Sequence, residues 1–295
     1  EDSSKLYEMA DYFVSTLRKQ VFAKTEDKED HDNYDCDYFV DEKARTVSLT
    51  AVGISKAEKK EGRTAAEGLS RVKAEGNRAV VVEINSETDF VAKNEKFQAF
   101  VADVAKTIAA ENPADVEALE EMKLAGSDRT VKETVQDLVL AIGENMKIRR
   151  FVRTEGISSS YIHMGGRIGV LVGLEVSENL KGNEVIKELG KDICMQIAAM
   201  RPAYLKADEV DAATLEKEKE ILMAQAINEG KPQQIAEKMV IGRINKYYKE
   251  VCLLDQEFVK DSDLSVKQYV EAKAKEFGGN ITIKSFARLE KGEGL

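Results

Sequence analysis

The chain has 295 residues, of which 43% are hydrophobic and 33% are charged, a composition typical of globular proteins with many surface helices. This length can hold two domains, and the net charge of −10 argues against direct binding of nucleic acid through bulk electrostatics. No apolar run approaches the roughly 20 residues that span a bilayer, and no signal peptide opens the chain, so we expect no membrane partner.

Cysteine and histidine are scarce. The three cysteines, Cys36, Cys194 and Cys252, lie far apart, which argues against a disulfide framework and a zinc site and suits a reducing cytosol. The chain has only two histidines, and it lacks a Walker-type loop. We therefore expect no metal, no cofactor and no ordinary enzyme active site, and a cytoplasmic location.

Acidic residues outnumber basic ones in the first segment, residues 1–51. Its pattern predicts an amphipathic helix and a charged loop, followed by a strand–turn–strand over "DYFVDEKARTVSLT", residues 37–50.

The stretch "AVVVEI" (79–84) predicts a strand, and the polar loop "NSETDFV" (85–91) leads from it into a helix. Two interpretations of the loop remain open and can coexist. In one, Ser86 and Asp89 form a capping box and Phe90 is tucked in as an apolar staple. In the other, Phe90 is exposed and fills a pocket on a partner, while Asp89 competes for a hydrogen bond or a cation.

The sequence contains an internal repeat. Gly76, Asn94 and Pro113 align with Gly165, Asn183 and Pro202, 89 positions later. The match resumes at an offset of 135, where "DRTVKETV" (128–135) aligns with "DLSVKQYV" (263–270) and "NMKIRRFVRTE" (145–155) aligns with "NITIKSFARLE" (280–290). We therefore predict an α+β fold of two duplicated β-α-α-β subdomains, with Asn94 and Asn183 as helix N-caps.

The change of offset predicts an insertion in the second copy. Its apolar spacing indicates an antiparallel helical hairpin, roughly 210–228 and 232–249, with Gly230 ending one helix and Pro232 starting the next. Such a hairpin is either a structural prop or a contact arm. The predicted domains are residues 1–52, 53–155 and 156–295, with the hairpin at about 205–250.

His163 lies in "SSYIHMGGRIGV", which we place just before the first strand of the second copy, and we interpret it as a surface or hydrogen-bonded loop residue. The glycines that follow lack the G-x-G-x-x-G spacing of a dinucleotide-binding turn, so we reject phosphate binding there.

Several segments resemble bacterial elongation factor Ts over about residues 53–295. They are "GISKAEKKEGRTAAEGL", "VVEINSETDFVAKNEKFQAF", "YIHMGGRIGVLVGLEV", "QIAAMRPAYL" and "GKPQQIAEKMVIGRINKYYKEVCLLDQEFV". The resemblance implies a guanine nucleotide exchange factor for elongation factor Tu. Within the Thr-Asp-Phe-Val motif (Thr88, Asp89, Phe90 and Val91), Asp89 and Phe90 would enter between helices of the partner's G domain near its magnesium site, so that GDP leaves. His163 and the hairpin would contact the same domain.

The resemblance implies an N-terminal ubiquitin-associated-like module, and residues 1–52 do not show the sequence runs usual for it. Residues 1–52 instead resemble a part of SecA, the preprotein-translocating ATPase, near the junction of its first nucleotide-binding and preprotein-binding domains, without a Walker motif. We expect this segment to be the first cut by trace protease. Two alternatives follow: a protein that binds elongation factor Tu with impaired exchange, or a SecA-derived translocation fragment.

Overall fold

The computed structural model describes residues 62–75 and 77–295, together with Lys60, the strands at 35–41 and 46–52, and helical positions 5, 7, 8, 11 and 12. Strand β1 (Asp35–Asp41) pairs antiparallel with β2 (Thr46–Val52), which confirms the predicted strand–turn–strand. Most of the predicted N-terminal helix and charged loop, and the junction near residues 53–59, lie outside the described residues.

The first half of the core is a three-stranded antiparallel sheet with helices on one face. Its strands are β3 (Glu67–Glu75), β4 (Arg78–Ser86) and β5 (Met146–Glu155), in the order β3-β4-β5. Between β4 and β5 the chain forms α1 (Asp89–Ala92), α2 (Glu95–Glu111), α3 (Val116–Glu120) and α4 (Val131–Ile142). The central strand β4 is buried from its second residue to its last, because it has a strand on each side and packed layers above and below.

The second half has the same kind of sheet. Its strands are β6 (Ile157–His163), β7 (Ile168–Val176) and β10 (Ile281–Glu290), in the order β10-β7-β6. The remaining elements are α5 (Glu184–Met200), α6 (Ala212–Asn228), α7 (Gln233–Val251), the short pair β8 (Glu257–Phe258) and β9 (Asp261–Ser265), and α8 (Val266–Glu276).

These elements confirm the α+β class, and they correct the predicted strand count. Each sheet has a strand, β3 or β6, before the one that the repeat identified. These strands are amphipathic and half-buried, so they lack the continuous apolar run that marks β4 and β7. The predicted caps are confirmed: the Asn94 side chain accepts from the N–H groups of Lys96 and Phe97, and the Asn183 side chain accepts from that of Val185.

The two sheets pack against each other through a small apolar layer. It consists of Ala79, Val81, Leu171, Ala287 and Leu289, all of them buried. The sheets pack tightly at Gly169 of β7, where an added Cβ would sit 2.8 Å from Val81 Cγ2. The outer face of each sheet carries its own core with its helices.

A buried carboxylate also joins the halves. Glu83 is 0% exposed, and it accepts hydrogen bonds from Arg150 Nε at 2.6 Å, Arg149 Nη1 at 3.0 Å and the Gly292 N–H at 2.8 Å. Burial opposes its ionisation, but the hydrogen bonds from Arg150, Gly292 and Asn85 and then Arg149 outweigh burial and hold the pKa of Glu83 below its ordinary value.

The predicted hairpin is formed by α6 and α7. Its inner face buries Ala226, Ala236, Val240 and Ile244, and Gly230 takes the positive φ of +78° that ends the first helix. At its base, the N–H groups of residues 203 and 204 both donate to the carbonyl of Val251. Both ends of the insertion therefore leave the core at one place.

Candidate partner-binding site

The polar loop after β4 is held by its neighbours rather than by its own cap. Thr88 is the N-cap of α1, but its side chain makes no capping bond. Instead, its N–H donates to Glu144 Oε2 at 3.0 Å and its hydroxyl donates to Glu144 Oε1 at 2.7 Å. Ser86 Oγ donates to the carbonyl of Thr88 at 3.0 Å. The predicted Ser86–Asp89 capping box is therefore wrong, because both of its ends have other partners.

The side chains of Phe90 and Val91 lie in different surroundings. Phe90 is 78% exposed, whereas Val91 is 4% exposed and packs in the first core. Successive helical residues lie about 100° apart, so a one-turn helix that buries Val91 presents Phe90 to solvent. The tucked-staple interpretation is wrong, and the exposed interpretation fits the structure. The buried Val91 side chain attaches this helical turn to the first core.

Asp89 is exposed and already paired. Its Oδ2 accepts a hydrogen bond from Lys93 Nζ at 2.6 Å, and the same ammonium group lies 5.8 Å from the centre of the Phe90 ring. The hydrogen bond from Lys93 is the main reason that the pKa of Asp89 lies below its ordinary value. The site thus presents an ionised carboxylate, a cation and an aromatic ring within one helical turn.

His163 is the last residue of β6 and pairs with Ile168 of β7, so its predicted position in a loop before the first strand is wrong. The ring is half-buried, and its Nδ1 lies 3.1 Å from the hydroxyl of Tyr161. The tight turn that follows exposes 65% of Met164, which adopts a left-handed φ of +49°.

The fold brings the two predicted regions to the same edge of the molecule. Glu67, at the start of β3, lies opposite Ser86 in the sheet, and its carboxylate pairs with the ammonium group of Lys291. The N–H of Lys291 in turn donates to the carbonyl of Arg167, in the turn after His163, at 2.9 Å. The loop that carries Asp89 and the turn after His163 therefore flank one strand end.

Sequence reasoning missed three residues of this region: Lys93, Glu144 and Met164. Lys93 could have been found, since a lysine four residues after an aspartate on a helix predicts an ion pair. Glu144 lies 56 residues from Thr88 in the sequence, so no local pattern connects them.

The described part of the chain contains no cluster of three His, Cys, Asp or Glu side chains placed to hold a metal ion. Cys194 and Cys252 are buried, and burial raises the pKa of Cys194 to about 12 and that of Cys252 to about 11, so neither of these two thiols is a ready nucleophile. None of the helices in the described ranges is long and apolar enough to cross a membrane.

Comparison with known proteins gives a family. The family model "Elongation factor TS" matches residues 87–293. The elongation factor Ts of Clostridium kluyveri is 51% identical over 253 residues, which cover 84% of this chain and 82% of that protein. Those of Clostridium perfringens (strain SM101) and Syntrophotalea carbinolica are 51% and 48% identical, over 86% and 84% of this chain and 84% and 82% of their own lengths. These matches do not support the SecA resemblance of residues 1–52. The chain belongs to the elongation factor Ts family.

Proposed function

We propose that this protein is a guanine nucleotide exchange factor for elongation factor Tu, acting in the cytoplasm during translation elongation. The observation that carries the proposal is the exposed Phe90, which stands beside the ionised Asp89 on a turn whose neighbouring residues are buried or hydrogen-bonded. An exposed aromatic ring on a rigid support is a typical anchor of a protein interface. Family membership supports the choice of partner.

In this mechanism no covalent bond is made or broken, so the protein is not an enzyme. Asp89 and Phe90 enter between two helices of the partner's G domain near its magnesium site, and GDP leaves. The exchange factor must bind the nucleotide-free partner better than the GDP-bound partner, and each tenfold loss of GDP affinity requires about 1.4 kcal/mol of differential binding. His163 and the hairpin of α6 and α7 supply further contacts.

We also infer that the two halves of the core, residues 53–155 and 156–295, arose by duplication. Helices α2 and α5 both have 17 residues, begin at an asparagine N-cap and end at a left-handed residue, Asn112 or Arg201. Capping boxes at Thr130 and Ser265 begin α4 and α8. Matching caps at matching offsets favour a common origin over chance.

The test is the release of a fluorescent GDP analogue from elongation factor Tu. We expect the chain to accelerate release and the double variant Asp89→Ala, Phe90→Ala to lose that effect. The matched control is Val259→Ala, Asp263→Ala, which removes an exposed apolar side chain and an exposed carboxylate elsewhere. Equal loss in both variants, or no acceleration by the parent chain, would contradict the proposal.

Measured binding separates this function from its alternative. A chain that binds elongation factor Tu without accelerating release is a binding protein whose exchange is impaired.

A further inference from the structure

We propose that Glu144 is a positioning residue for the Asp89–Phe90 pair, acting through Thr88. The proposal rests on the exchange function above, and it adds a residue to that site that does not itself touch the partner. Glu144 lies just after α4, 56 residues after Thr88 in the sequence. Its half-buried side chain reaches the loop after β4.

Both carboxylate oxygens of Glu144 accept a hydrogen bond from Thr88. One oxygen accepts the N–H of Thr88 and the other accepts its hydroxyl, at 3.0 and 2.7 Å. An ionised carboxylate has two acceptor oxygens and no donor, so it satisfies both groups at once. Such charge-assisted bonds are stronger than neutral ones.

A second carboxylate makes the reverse connection. Glu87 Oε1 accepts the N–H of Asn145 at 2.6 Å, so residues 87–88 and 144–145 each give a carboxylate to the backbone of the other. These bonds begin where the ladder between β4 and β5 ends, at the pair Ser86–Met146. They extend the connection between the two segments past the end of the sheet and into the loop.

The loop requires such support because Phe90 gains little from the core. Its ring is 78% exposed, and helix α1 has only four residues, too few to be stable alone. Val91 fixes the end of helix α1 by packing in the core, and Thr88 fixes its start through Glu144. Without Glu144, the start of α1 would be free to fray, and Phe90 would sample several directions.

Hydrogen exchange tests the structural step without any partner. We expect the amides of residues 87–92 to exchange about tenfold faster or more in Glu144→Ala than in the parent chain, the factor that corresponds to one hydrogen bond to a charged group. Glu144→Gln should give an increase as well, because its amide NH2 faces one of the two donors. Glu121→Gln, which removes an exposed carboxylate paired with Lys132, should leave these amides unchanged.

The GDP-release assay tests the functional step. Glu144→Ala should lower the maximal rate of release severalfold, while thermal unfolding shows that the core persists. Thr88→Val should lower the rate too, and combining it with Glu144→Ala should add little, because the valine removes one of the two hydrogen bonds that Glu144→Ala removes. Thr88→Ser keeps the hydroxyl and should retain most of the rate.

Two results would overturn the proposal. One is unchanged hydrogen exchange of the amides of residues 87–92 in Glu144→Ala, and the other is additive effects of the Thr88 and Glu144 variants on the rate of GDP release. If the parent chain does not accelerate release, the exchange function fails, and the hydrogen-exchange comparison alone decides whether Glu144 holds the turn.

Discussion

The ammonium group of Lys93 donates a hydrogen bond of 2.6 Å to the carboxylate of Asp89, so the charge at the candidate site is already paired in the free protein. Both side chains are more than half exposed, and ion pairs of this kind contribute little to stability. A partner can therefore replace Lys93 at small cost. In the free protein, the ion pair with Lys93 favours the ionised form of Asp89 and holds the ammonium group near the Phe90 ring.

Replacing Lys93 tests this pairing. In Lys93→Met we expect the pKa of Asp89 to rise toward its ordinary value, because the hydrogen bond from Lys93 is the main cause of its depression. The parent carboxylate should thus stay ionised to a lower pH than that of the variant. Carboxyl carbon chemical shifts, followed by NMR against pH, measure both values. Identical titrations would show that the pair does not form in solution.

Phe90 and Val91 form a matched pair of neighbours. Phe90→Ala should change the free energy of unfolding by less than about 0.5 kcal/mol, because the ring is mostly exposed. Val91→Ala should cost about 1.5–3 kcal/mol, because its side chain is buried in the core. Urea unfolding measures both. A large loss of stability in Phe90→Ala would mean that the ring packs inward.

The sequence was a good guide where the signals are local. The asparagine caps, the helical hairpin and the apolar strands β4 and β7 follow from spacing alone, and the exposure of Phe90 beside Asp89 agrees with one of the two interpretations that the loop sequence left open. The capping box failed because Ser86 donates to the carbonyl of Thr88 and Asp89 pairs with Lys93. The bond that holds the start of α1 comes from Glu144, 56 residues from Thr88, and no local pattern reveals it. The placement of His163 failed because β6 is half-buried and its run of serines does not look like a strand.

The buried Glu83 should be costly to neutralise. In Glu83→Gln we expect a loss of about 2–4 kcal/mol in the free energy of unfolding, somewhat below the usual cost of breaking a buried ion pair, because its arginine partners are 20% and 36% exposed. The control is Glu175→Gln, whose ion pair with Lys284 is exposed on both sides, and which should cost under about 0.5 kcal/mol.

The same residue predicts a pH dependence. Since the pKa of Glu83 is depressed in the folded protein, its contribution is present at neutral pH and is lost as the pH falls through that lowered value. The difference between the parent chain and Glu83→Gln should therefore shrink in strong acid. A difference that stays constant from pH 7 to the acid limit would contradict this linkage.

Two glycines should respond oppositely to alanine. At Gly169 the new methyl group would lie 2.8 Å from Val81 Cγ2, between the two sheets, so we expect a loss of about 1–3 kcal/mol. At Gly242, within α7, nothing lies within 4 Å, so alanine should stabilise the helix by about 0.5–1 kcal/mol. Thermal unfolding of both variants checks the signs, and equal effects would argue against close packing of the sheets at Gly169.

The hydrogen bond between Glu83 and the Gly292 N–H joins residues 209 positions apart, which has a consequence for synthesis on the ribosome. All strands of the first sheet have been synthesised once Glu155 has been made, yet the carboxylate of Glu83 still lacks the Gly292 donor. The inner face of the first sheet, at Val81, also has no second sheet to cover it. Until β10 has left the ribosome, the nascent first half therefore exposes the apolar face that Leu171, Ala287 and Leu289 cover in the folded protein.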